Sequence, residues 1–218
     1  MVRMASTSAL PPTSKPTQST LFITSTYGAI IMQALVKTAL VAALGLSALG
    51  SYAGEISNTD IHADRAQNEA TAKDSKAFQH IGVTFGSGKI TNSYIYAPDA
   101  KNHAYGEGST AHQDIGRVTN GTMDNVKVYA AGAHNDAYGK NSVANQRIGT
   151  LNGGTMKDVT IYANNARNTA SGESSSATQE IGSVTNGTMR KVTIFADNAT
   201  NTASGKNSVA EQKIGVVN

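Results

Sequence analysis

The chain contains no cysteine and no tryptophan, and of its four prolines only Pro98 lies beyond residue 16. Without cysteine there is no disulfide framework, no thiolate metal site and no cysteine nucleophile. Aromatic residues make up 6% and charged residues 15% of 218 positions, against 21 glycines. So few large side chains exclude a conventional thick core. The net charge of +3 and the pI near 9.0 suggest a nucleic-acid partner until the charges are located. Residues 1–53 hold Arg3, Lys15 and Lys37 and no acid, so the remaining residues carry 15 basic and 15 acidic groups. A neutral body has no surplus of cations with which to displace counterions from phosphates, which excludes nucleic acid as an expected partner.

Residues 32–53 read as a secretory signal: Lys37, an apolar run at 38–50 and small residues before an expected cleavage after Ala53. The run is too short to span a bilayer. Residues 1–31 are rich in Ser, Thr and Pro and precede Met32, so they are expected to be an over-extended gene start or, if translated, disordered. The expected mature chain is 54–218, and its expected location is secreted, as an extracellular or cell-surface protein.

That body is one repeat written five times, at 56–89, 90–122, 123–155, 156–188 and 189–218. Counting each unit from zero, position 7 is alanine throughout (Ala63, Ala97, Ala130, Ala163, Ala196), as are positions 10, 14 and 21. Position 5 is Ile61, Ile95, Val128, Ile161 and Ile194. Position 12 is always asparagine: Asn68, Asn102, Asn135, Asn168 and Asn201. Position 19 is Ser75, Ser109, Ser142, Ser175 and Ser208, and position 23 is Gln79, Gln113, Gln146, Gln179 and Gln212. Ile-Gly follows each glutamine by two residues, from Ile81-Gly82 to Ile214-Gly215.

Fixed positions fall on every second residue while their neighbours vary among charged and polar types, the pattern of strands with one buried face. The phase breaks between positions 7 and 10, near Pro98, and again at 15–18 beside Gly106, Gly139, Gly172 and Gly205. A third break, Asn120-Gly121-Thr122 and its equivalents, carries turn chemistry. Period two and β-branched residues exclude a helical repeat of similar length. The predicted fold is all-β: an uncapped, amyloid-like β-solenoid of five in-register rungs of about 33 residues, spaced about 4.8 Å apart.

In-register stacking turns each fixed position into a column. A lone buried amide is costly, but at strand spacing each amide can bond the next, so the Asn, Gln and Ser columns are expected to be structural ladders. The small Ala and Ser columns predict closely spaced sheets. Position 6 (His62, Tyr96, Tyr129, Tyr162, Phe195) is expected to point outward as an aromatic stripe, a surface for lateral packing or for glycan contact. Solenoids that stay monomeric carry polar terminal caps, and none is evident here. Val217 and Asn218 at one end and Gly54, Glu55 and Ile56 at the other make up almost one complete turn. They predict a head-to-tail polymer joint.

Catalytic and metal chemistry is not singled out. The histidines at 62, 80, 103, 112 and 134 share no single column, and zinc would require adjacent rungs to align them. Carboxylates lie scattered on outward positions, which leaves no acid pair for glycosidic chemistry, so no enzyme and no cofactor are expected.

The Asn-x-Ala and Ser/Gln columns, the Gly-rich turns, the signal peptide and the cap-free tandem units resemble the secreted bacterial functional amyloids, the curlins and the Fap fibre subunits. Here the period is 33, against the low twenties of curlin, and Ile-Gly follows each Gln. The resemblance implies a structural subunit of an extracellular fibre in biofilm matrix or surface adhesion. Its implied partners are itself as a homopolymer, a nucleator or secretion channel, and a glycan or abiotic surface. The alternative is a monomeric secreted β-solenoid that binds a glycan or surface through the aromatic stripe.

Overall fold

A computed structural model of the protein describes residues 30–31, 47–52 and 54–218, with side chains for 54–218. Every element among them is a strand and every pairing is parallel. The five units stack in register as a β-solenoid: Asn135 pairs with Asn102 on one side and Asn168 on the other, and Gln146 with Gln113 and Gln179. Hydrogen-bonded equivalents are 33 residues apart, or 34 across the first step because unit one carries one residue more.

Each rung folds around two compartments. The strands His134–Tyr138 and Val143–Lys157, with their equivalents, enclose a thin layer whose buried apolar side chains are all alanine: Ala77, Ala104, Ala111, Ala137, Ala144, Ala170 and Ala177. A wider compartment holds the aliphatic columns, among them Ile95, Ile115, Val128, Ile148, Met156 and Ile161.

Corners are made by single residues in the left-handed region, mostly Gly, Asn and Asp, where that conformation costs least. Two of the expected breaks coincide with such corners, at Asp99 (φ 51°) and Gly132 (φ 69°) and at Asn141 (φ 58°) and Asn207 (φ 57°). The Asn-Gly-Thr segment is not a chain reversal. Asn120 (φ 52°) bends a strand that continues from Thr110 to Tyr129. Two further corners were not foreseen, at Asn58, Asn92 and Asn125 and at the glycine of each Ile-Gly pair. Gly149 has φ +59°, and a Cβ there would come within 2.5 Å of Ile161 Cδ1, so both the backbone and the core demand glycine.

Of the stretch expected to be a leader, 32–53, only Ser47–Tyr52 lies within the described residues. Its backbone runs parallel to Lys76–Phe85, with Ala48 opposite Ile81, and Ile30–Ile31 pairs with Asp60–His62. The remainder of 1–53, including the expected cleavage position, lies outside the described residues. At the other end, the fifth rung presents Val209, Ile214 and Val217 to solvent, at 62%, 42% and 50% exposure.

Candidate functional site

The amide ladders form where the two compartments meet. Asn68 Nδ2 donates to Asn102 Oδ1, Asn102 to Asn135, Asn135 to Asn168 and Asn168 to Asn201, each at 2.8 Å. The glutamines run the other way: Gln113 Nε2 donates to Gln79 Oε1, Gln146 to Gln113, Gln179 to Gln146 and Gln212 to Gln179, at 2.6–2.7 Å. Each amide also ties the opposing strand, as Asn135 Nδ2 does to the Ala111 carbonyl and Gln146 Nε2 to the Ala133 carbonyl. The ladders therefore hold rung to rung and sheet to sheet together.

The serine column works differently. Ser109, Ser142, Ser175 and Ser208 donate their hydroxyls to corner carbonyls of the preceding rung, at Ala72, Gly106, Gly139 and Gly172. Ser175 and Ser208 accept from the backbone N–H of Ser142 and Ser175. Only Ser75 and Ser109 are paired hydroxyl to hydroxyl, at 3.4 Å. A further amide contact, Asn125 Nδ2 to Asn92 Oδ1 at 2.9 Å, lies outside the predicted ladders.

The position-6 side chains form a column in which two ring pairs stack and two, His62 with Tyr96 and Tyr129 with Tyr162, are tilted at 45° and 42°. Centroids are 5.1 Å apart for Tyr96 and Tyr129 and 4.8 Å for Tyr162 and Phe195, with interplanar angles of 18° and 5°. In the stacked pairs the facing ring surfaces are covered. A second short column, Tyr105 on Tyr138 at 5.3 Å, was not foreseen.

Two carboxylates on outward positions are nonetheless buried, covered by the side chains around them. Asp114 is fully buried and Asp136 is 3% exposed. Asp114 Oδ2 lies 2.9 Å from Arg117 Nη1, 3.0 Å from His112 Nε2 and 3.3 Å from His80 Nδ1, and Arg147 Nη1 is 3.7 Å from Oδ1. Burial pushes this carboxyl up, but the two imidazoles beside it and the Arg117 guanidinium outweigh it and hold it well below the usual carboxylate range. Asp136 is lowered in the same sense: burial opposes, while His103 at 3.4 Å and Arg167 at 3.4 Å prevail. The expected joint residues sit at opposite ends of the stack: the Gly54 carbonyl accepts from Lys89 N–H and Ile56 pairs with Ile90, while Val217 bridges Val184 and Asn218 N–H donates to the Val184 carbonyl.

Charges also form columns. Position 24 reads His80, Asp114, Arg147, Glu180 and Lys213, and position 17 reads Lys73, Glu107, Lys140, Glu173 and Lys206. Ion pairs link neighbours along both, including Arg147 to Glu180 at 3.2 Å and Lys140 to Glu173 at 3.5 Å. Compared with family models, with curated proteins and with solved structures, the chain matches none.

Proposed function

We propose that the protein is a structural subunit that assembles head to tail into an extracellular amyloid-like fibre of the curlin or Fap type, in biofilm matrix or surface attachment. The observation that carries this reading is the polarity of the two ladders. At the fifth rung, the Asn201 amide is the donor end of its column and Gln212 Oε1 the acceptor end of the other. At the first rung the roles are reversed, with Asn68 Oδ1 and the Gln79 amide outermost among the described residues. Fifth rung on first rung therefore matches donor to acceptor in both columns while continuing the parallel register of the stack. Exposed Val209, Ile214 and Val217 add apolar area to the same end.

The alternative, a monomeric glycan-binding module, needs ring faces open to a sugar, and the stacked pairs Tyr96–Tyr129 and Tyr162–Phe195 turn faces towards each other. Electron microscopy and X-ray fibre diffraction of purified protein comprising residues 54–218 test the reading. Fibres with a spacing of about 4.8 Å along their axis are expected. A solution that remains monomeric at high concentration would overturn it.

A further inference from the structure

Two of the five histidines, His80 and His112, come together across two rungs. His80 and Asp114 occupy the same position of units one and two, and His112 stands two residues before Asp114 on the same outer face. One ligand-type atom from each of the three lies within 4.8 Å of the others. We infer that His80 Nδ1, His112 Nε2 and Asp114 Oδ2 form a binding site for a divalent cation of the zinc type.

Distance favours this reading. A tetrahedral ion with bonds of about 2.0–2.1 Å holds its ligand atoms about 3.3 Å apart. Asp114 Oδ2 stands 3.0 Å from His112 Nε2 and 3.3 Å from His80 Nδ1. Proton chemistry alone leaves the cluster incompletely satisfied. His80 Nδ1 and Asp114 Oδ1 are both buried without a hydrogen-bond partner, a costly state that calls for a ligand or a solvent molecule. His112 Nε2 is also 3.2 Å from Arg147 Nη1, and one nitrogen cannot donate to a carboxylate and accept from a guanidinium at once. A cation beside Nε2 uses its lone pair together with the carboxylate. Two imidazole nitrogens and one carboxylate oxygen suit borderline ions over calcium or magnesium.

The arginines set the site's strength. Arg117 and Arg147 are positive charges beside the proposed ion and weaken it, but Arg147 has a second partner in Glu180 at 3.2 Å and can turn to it. Binding is therefore expected to be moderate and to tighten when Arg147 is removed. The site lies within one chain and joins its first two rungs, so it is independent of whether chains polymerise.

Calorimetric titration of the full chain with zinc chloride, alongside the tetrahedral absorption of added cobalt(II), tests the inference. One zinc per chain is expected. His80→Ala and His112→Ala should each weaken binding by more than the roughly 10- to 100-fold that loss of an outer-sphere partner costs, while His134→Ala leaves it unchanged. Arg147→Gln should bind more tightly, a gain that misfolding cannot mimic. Absence of stoichiometric binding, its persistence at full strength in His112→Ala, or unchanged or weaker binding in Arg147→Gln would overturn the proposal.

Discussion

A buried amide in this protein has two column neighbours and one carbonyl across the sheet, so its removal strands several groups at once. Replacing Gln146 with Leu leaves Gln113 Oε1 and the Gln179 amide without their partner. At about 1–3 kcal/mol for each stranded group, the loss should be roughly 2–6 kcal/mol. Gln212→Leu, at the exposed fifth rung with a single column neighbour, should cost clearly less. Urea denaturation of both variants checks the order. Asp114 gives a pH prediction. Its carboxyl is depressed in the folded state, so its contribution is fully present above the unfolded value of about 3.9 and is lost as pH falls below it. Denaturation midpoints measured from pH 6 to pH 2 should fall steeply in the parent protein and less so in Asp114→Asn. The Asn, Gln and Ala columns were legible because identical rungs repeat the same burial five times. The Asp114 cluster was not, since its histidines belong to different positions of adjacent units. Comparing each residue with those 33 or 34 positions away, and two to either side, would have revealed it.

At the scale of a strand, the alternating columns act as a register code. Glu180 lies between Arg147 and Lys213, so a slip of one rung would bring like charges together along the whole column. Glu180→Lys sets three cations in a row in a partly shielded column. It should cost about 1 kcal/mol at low salt, with recovery as salt shortens the screening length to about 10 Å or less. The same reversal at the more exposed Glu173 should cost less, and thermal melts across a salt series separate the two. Strand faces were legible from period-two alternation. The corners at the Ile-Gly glycine and at Asn125 were not, because a single left-handed residue bends a strand without adding a loop, so the sequence there shows no turn cluster.

For the whole molecule, five is an odd number, and this affects the proposed joint. With the alternating column at position 17, a fifth rung laid on a first rung brings Lys206 over Lys73, and position 8, which does not alternate, brings Asp197 over Asp64. Fibre growth should therefore be slow at low ionic strength and faster as salt is added. Lys206→Gln should shorten the lag at low salt while changing little at high salt, as followed by light scattering. Salt-independent growth would mean that these columns do not meet. The opposed amide ladders have another consequence, for the electric field of a long assembly. Peptide-like dipoles of about 3.5 D that all pointed one way would add along an axis, as they do in a helix. Here the asparagine column points its donors towards the carboxyl end and the glutamine column towards the amino end, one residue of each per rung. Their axial components largely cancel within every rung, so these two columns build up no polarisation with length, and a stack of any height presents the same electrostatic face to whatever arrives next.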